Sequence, residues 1–243
     1  MNSDLMMVLT IGAIALSGFV QSVTGFGFGL VSMSLLPLLL GFEGAYTIVS
    51  IMVLVTCSMT LMGNIKHYRW RQGLDLLISS CVALPVGFYV MVHVPSEWLM
   101  RGLGIFICLY SLREVVMSRI RPFNIPKKYG VVMGSISGML SGAFHAGGPP
   151  AVIYAYSQDW TKEHIVALLQ LVFLIPSIIR LILVQNHGLL RTDFLWTGLL
   201  AIVPLVLAIL GGTHVLHRVK RERLRMIVFV FLFVIGLKYL IKA

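Results

Sequence analysis

Charged side chains are the scarcest class in this sequence. Asp and Glu number 9 and Lys and Arg 19 among 243 residues, so only 12% of positions are charged, about half the roughly 25% of an ordinary soluble domain. Hydrophobic residues make up 58%, and the mean hydropathy is +0.93. A globule of this size has too little interior to hide that much apolar surface, because surface grows almost as fast as volume. A soluble fold is excluded, and lipid is the solvent for most of the chain. Cysteine is scarce as well. Cys57, Cys81 and Cys108 lie in apolar stretches, with neither a disulfide framework nor metal-ligand spacing, and read as small packing residues. The seven His are scattered, which gives no reason to expect haem, a metal cluster or any other cofactor. No Lys or Arg precedes the first apolar run, where Asp4 stands instead, and the first basic residue is Lys66. That run is therefore not expected to be a signal peptide.

Long uncharged runs take the place of charge. Residues 5–42 form one, followed by 44–65, 76–96 and a segment of about 98–117 that carries Arg101 and Arg113. A basic, Pro-containing linker follows, with Arg119, Arg121, Pro122, Pro126, Lys127 and Lys128. The pattern then resumes with 129–158, about 164–186 with a lone Arg180, 194–217 and about 224–241. At about 20 apolar residues per crossing, this is room for roughly eight membrane segments and almost no extramembrane domain. The formal charge of +10 reads as cytoplasmic loop charge that orients the helices. It does not read as a nucleic-acid footprint, since the basic residues sit in loops.

The order long, short, short, short occurs twice, and one ungapped offset of 120 aligns the copies. Ser17-Gly18 falls on Ser137-Gly138, Gly27 on Gly147, Glu43 on Glu163, His67 on His187 and Arg71 on Arg191. The expected fold is an all-α polytopic membrane protein, one integral domain of two repeats, 1–120 and 121–243. Each repeat is a Gly-broken helical hairpin plus three transmembrane helices. Each long run is too long for one helix and barely enough for two. If it makes a single discontinuous crossing, the repeats are parallel. If it is a hairpin that returns to its starting side, they are inverted, and fourteen Lys and Arg residues from Lys66 to Arg225 share one face against four on the other. The positive-inside rule favours the inverted arrangement, with both termini outside.

The breaks are Gly25-Phe26-Gly27-Phe28-Gly29 and Gly147-Gly148-Pro149-Pro150. Irregular backbone at membrane depth is tolerated only where protein or a wet cavity satisfies it, and broken helices in inverted repeats are a recurrent design of secondary transporters. Pro149-Pro150 marks a helix start, where a missing N–H costs nothing. The amides of Gly147, Gly148, Ala151 and Val152, and of Gly27, Phe28, Gly29 and Leu30 in the first copy, would then lack helical acceptors and form a cradle for a small oxyanion. Close helix packing is the other reading of the glycines. Gly18, Ser22, Gly25 and Gly29 fit it, as do Gly134, Gly138 and Gly142.

Arg180 is the strongest single-residue signal. A charge in a membrane segment faces a cavity or a partner, unless it snorkels to the headgroups. His145, just before the second break, can bind an anion, relay a proton or bond a nearby carbonyl. Gln21, Thr24 and Gln170 either line the site or bridge helices. Tyr154 and Tyr156 read as packing or interfacial residues.

The stretch S-G-A-F-H-A-G-G-P-P-A at residues 141–151, with its counterpart in the first half, resembles the sulfite exporter TauE/SafE family of membrane transporters. The resemblance extends from about Ile11 to Leu240 and includes Pro85, Gly87 and Pro204. It implies a multi-pass protein of the bacterial inner membrane that carries small sulfur-containing anions, such as sulfite or sulfoacetate. The family's Gly-rich segments fall on Gly25 to Gly29 and on Gly147 to Pro150; together with the residue reading above, the candidate substrate residues are Gln21, Thr24, Gly25, Phe26, Gly27, Phe28 and Gly29, then Phe144, His145, Ala146, Gly147, Gly148, Pro149, Gln170 and Arg180. Phe28 and the pair Phe144-His145 depart from the family's smaller residues. The expected function is a secondary transporter, in the export direction, working by alternating access between the two breaks. Its partners are a small anion and the lipid bilayer, with no nucleic acid, while proton coupling and a homodimer stay open. An anion channel is one alternative. The other is an intramembrane hydrolase built on Ser141 and His145, which lacks a carboxylate to orient the His and would depend on Ser141 where a carrier should tolerate its loss.

Overall fold

The computed structural model describes residues 3–117, 124–190, 192–215 and 221–242. The linker residues Arg119, Arg121 and Pro122, the repeat boundary at 120/121, and Arg191, Arg218 and Lys220 lie outside them. Among the described residues the chain is helical throughout, with ten α-helices and no strand. They are α1 (Ser3–Thr24), α2 (Phe28–Leu35), α3 (Pro37–Met62), α4 (Leu74–His93) and α5 (Ser96–Met117), then α6 (Gly130–Phe144), α7 (Gly148–Tyr156), α8 (Lys162–Asn186), α9 (Thr192–Val215) and α10 (Arg221–Lys242).

Both long runs break, the first where glycine allows it. α1 ends at Gly25 and α2 begins after Gly27, and both glycines hold positive φ, 85° and 101°, a region that L side chains rarely enter. Helical hydrogen bonding then continues past Leu36, whose N–H donates to Ser32 O at 2.8 Å and whose carbonyl accepts from Leu40 N–H at 2.9 Å. The limb therefore extends to Leu40, about a dozen residues from Phe28. It stops at Gly41, where φ is 71° and ψ 172°, inside what is otherwise α3. In the second run α6 closes at His145, and α7 starts with Pro149 and Pro150 in its first turn. Pro85, Pro176 and Pro204 lie inside α4, α8 and α9, as membrane helices tolerate.

Two compact units interleave along the chain. The first is Met1–Met52, Val94–Ile120 and Leu189–Ala243, and the second is Val53–His93 and Arg121–Gly188. In the first, α1 packs on α9 and α5 on α10. A methyl group on Gly104 would come 2.9 Å from Gly236 O, and one on Gly236 would come 2.7 Å from Cys108 Sγ. Tyr239 Oη donates to Ser34 O at 2.9 Å in the buried interior.

In the second unit, α4 packs on α6 along a glycine stripe. Side chains at Gly134, Gly138 and Gly142 would strike the α4 backbone at Leu76, Ser80 and Leu84, and one at Gly87 would strike Met139 O. For these three glycines of α6 close packing is what the residue type provides: without a hydrophobic drive between helices in lipid, small residues let backbones approach. The two units use equivalent partners. With the offset of 120, α1 corresponds to α6 and α9 to α4, so each unit pairs the first helix of one half with the fourth helix of the other.

The outer surfaces are apolar. On α4, Ile78, Val82, Val86 and Tyr89 are all more than half exposed, a continuous stripe at helical spacing, while Ser80, Leu84, Gly87 and Phe88 face inward. Such an apolar stripe is lipid-facing, since exposed apolar patches of this extent are rare in water. Leu5–Thr24, α3, α4 and α8 are long and apolar enough to cross a membrane, and Trp196–Gly212 and Met226–Ile241 are shorter apolar helices. The protein is a multi-pass membrane protein.

Candidate functional site

Arg180 is the organising residue of the second unit's break. It lies on α8 and is 1% exposed, so its charge does not snorkel to the surface. Its Nη1 donates to Ser177 Oγ at 3.3 Å, one turn back on the same helix, and its Nη2 donates to Ser141 Oγ on α6. Ser177 Oγ in turn donates to Phe173 O at 2.6 Å. Two hydroxyls thus orient the guanidinium, in an interior where a buried charge costs at least a few kcal/mol.

One turn beyond Ser141 the helix ends. His145 takes the left-handed conformation, φ 56° and ψ 21°, as the C-cap of α6. Its N–H donates to Ser141 O at 3.0 Å, and Ala146 N–H donates to Leu140 O at 3.2 Å. His145 is the one non-glycine with positive φ among the described residues. A bulky L-residue there costs about 1–2 kcal/mol, and strain of this kind collects at functional sites. The side chain is buried and within electrostatic reach of Arg180.

The chain then crosses to α7 under a tether. Ser137 Oγ donates to Gly147 O at 2.6 Å, which fixes the start of α7 against α6. Gly147 is the N-cap of α7, so the first helical bonds return from residues 151 and 152 to the carbonyls of 147 and 148. Of the four amides expected to be outside the ladder, Ala151 and Val152 are inside it, and only Gly147 and Gly148 remain. Pro149 and Pro150 contribute no N–H. Ala146, Pro149 and Pro150 are buried, while Phe144 is half-buried. Gln170 is fully buried, but ten residues before Arg180 on the same helix places it about 15 Å away along the axis.

The first unit's break is built differently. Gln21, on the last turn of α1, accepts Gly25 N–H on its carbonyl at 2.7 Å and Phe28 N–H on its side-chain Oε1 at 3.0 Å. Thr24 Oγ1 donates to Val20 O at 2.9 Å and also contacts Phe26 O. Phe26 and Phe28 are buried. The first helical bond of α2 runs from Val31 N–H to Gly27 O at 2.9 Å, so the amides of Phe28, Gly29 and Leu30 precede it.

Ser141 enters the sequence reading only as the nucleophile of the disfavoured hydrolase alternative; in the structure its hydroxyl accepts from Arg180, 39 residues away in the chain. Ser177 and Ser137 were missed. A signal existed for Ser177, three residues before Arg180 and so on the same helix face, and for Ser141, which the offset of 120 places on Gln21.

Comparison with known proteins places the chain as a whole. The family model described as sulfite exporter TauE/SafE matches residues 10–239. The probable sulfite/organosulfonate exporter TauE of Cupriavidus necator is 28% identical over 224 residues, which cover 87% of this chain and 86% of the relative. No solved structure matches.

Proposed function

This chain belongs to the sulfite exporter TauE/SafE family, a family of transporters rather than enzymes, and we propose that it carries a small sulfur oxyanion or organosulfonate out across the bacterial inner membrane by alternating access. The observation that carries the reading is Arg180, buried and held by Ser141 and Ser177 at the mouth of a broken helix. A guanidinium presents planar N–H donors to oxyanions, and a positive charge fixed in a dry interior acts far more strongly than in water. Gly147 and Gly148 at the start of α7 add the positive end of a helix dipole. His145, strained and beside Arg180, is the candidate for coupling to protons. The relative's description as an exporter of sulfite and organosulfonates supports the substrate class.

The test is counterflow. Vesicles preloaded with unlabelled sulfite, or in parallel with sulfoacetate, and diluted into a trace of the same labelled anion should accumulate label transiently above equilibrium. A channel would equilibrate without overshoot, and absence of uptake for both anions would overturn the reading.

Inverted repeats belong to the same proposal. The distribution of Lys and Arg supports them, while the exchange of partners between α1 with α9 and α6 with α4 supports the duplication itself. A reporter fused to the C-terminus should then be active only outside the cytoplasm, and a cytoplasmic signal would restore the parallel arrangement.

A further inference from the structure

Gln21 is 4% exposed and its carboxamide is orientated by chemistry. Phe28 N–H can donate only to an acceptor, so the side-chain oxygen must face it, as it does at 3.0 Å. That leaves Nε2, a donor with two hydrogens, at the first turn of α2. Nε2 is buried and has no hydrogen-bond partner among the described residues. Phe28, Gly29 and Leu30 are also buried, and their amides precede the first helical bond of α2 at Val31. A buried donor left unmade costs about 1–3 kcal/mol, more than a cap alone returns, since a residue that only capped Phe28 N–H would need no second polar atom. The backbone here is held open from the other side. Gly27, the N-cap, has φ 101° and no neighbour closer than Thr24 Oγ1 at 4.0 Å to a side chain built on it.

We propose that the start of α2 is an oxyanion subsite in which Gln21 Nε2, together with the Gly29 and Leu30 amides, receives the oxygens of a sulfite or sulfonate group. The proposal rests on the carrier reading and assigns to the first unit a donor set of neutral N–H groups, where the second unit uses the charge of Arg180. Neutral donors at a helix N-terminus bind an anion while leaving it mobile, because no ion pair has to be broken for release. They also discriminate: a three-oxygen head can accept from several N–H groups at once, whereas a halide offers no directed lone pairs to a carboxamide.

Gln21→Glu is the informative variant. One carboxylate oxygen can still accept Phe28 N–H and keep the helix start, while the other replaces a donor by a charged acceptor. In sulfoacetate counterflow at about pH 8, well above the ordinary Glu value of about 4.3, the half-saturation concentration is expected to rise at least about tenfold, the equivalent of a charge-assisted hydrogen bond. The thermal unfolding midpoint in detergent should fall, because the variant buries a carboxylate, so the uncharged replacement is measured beside it. Gln21→Met, with similar length and no polar atom, should raise the half-saturation concentration as well, and it decides the matter if the Glu variant fails to insert. Wild-type uptake shared unchanged by the variants that insert would overturn the subsite and leave the carrier standing. Absence of wild-type uptake of both sulfite and sulfoacetate would overturn the carrier reading, and the subsite with it.

Discussion

Arg180→Met should abolish sulfite and sulfoacetate counterflow, by about 100-fold or more, in a protein at least as heat-stable as the wild type. The first half follows from the donors removed. Two charge-assisted hydrogen bonds from one guanidinium to an oxyanion are worth about 1.5–3 kcal/mol each, and tenfold in affinity is about 1.4 kcal/mol. The second half follows from what the folded protein bears to keep Arg180 inside. Replacing a buried charged group by an apolar one of similar volume is often neutral, or stabilising by about 1–4 kcal/mol. Ser177 Oγ already donates to Phe173 O at 2.6 Å, and Ser141, in the last turn of α6, can fall back on the carbonyl four residues before it. A residue kept only for architecture would show the reverse, lower stability with residual transport. Arg180→Lys should fall between, since Lys keeps the charge but loses the planar fork that reaches Ser141 and Ser177 together. Transport within about threefold of wild type in Arg180→Met would remove Arg180 from the site. Unfolding points measured on the same samples separate the two cases.

Such a trade of stability for charge could be suspected from the sequence but not located. A lone Arg in an uncharged run is visible to anyone reading the chain, and the long runs gave up their breaks because Gly25, Gly27 and Pro149 have conformational meanings that survive any context. The helices fall where the uncharged runs lie for the same reason, since in lipid every backbone group must bond within its own helix. Partners are another matter. These helices are apolar all round, so periodicity says little about which face meets which. That Arg180 turns to Ser141, 39 residues earlier, and not to the surface is decided by how α6 and α8 pack. Gly41 shows the same limit. In an apolar run it reads as one more packing glycine, yet its positive φ ends the limb that begins at Phe28. The interleaving of the two units is likewise invisible in a linear duplication, because partner choice between first and fourth helices is a tertiary event.

Gly147→Val is expected to lower transport at least as far as the loss of Arg180, while the protein still inserts and remains folded, and Gly147→Ala should give an intermediate loss. The reason is contact and not backbone conformation. Gly147 has φ −71° and ψ −10°, which any residue adopts, but a side chain there would strike Ser137 O and come 2.8 Å from Ser141 Cβ. Those two serines sit one turn apart on α6, one tethering Gly147 O and the other holding Arg180. The substituted chain must either lift the start of α7 from α6 or turn Ser141 away from the guanidinium. Overpacking of this kind costs about 1–3 kcal/mol, which the unit survives because the glycine stripe of α6 against α4 is untouched. Gly27 provides the contrast. It has φ 101° and open space around it, so a substitution there fails through strain, and Asn, which tolerates the left-handed region, should retain more transport than Ala. At Gly147 the order must invert, with Ala better than Asn, because Asn relieves no strain and adds bulk. Counterflow of the Ala and Asn variants at each position, beside their unfolding points, distinguishes the two glycines. Normal transport in Gly147→Val would mean that the second break is not where the anion binds.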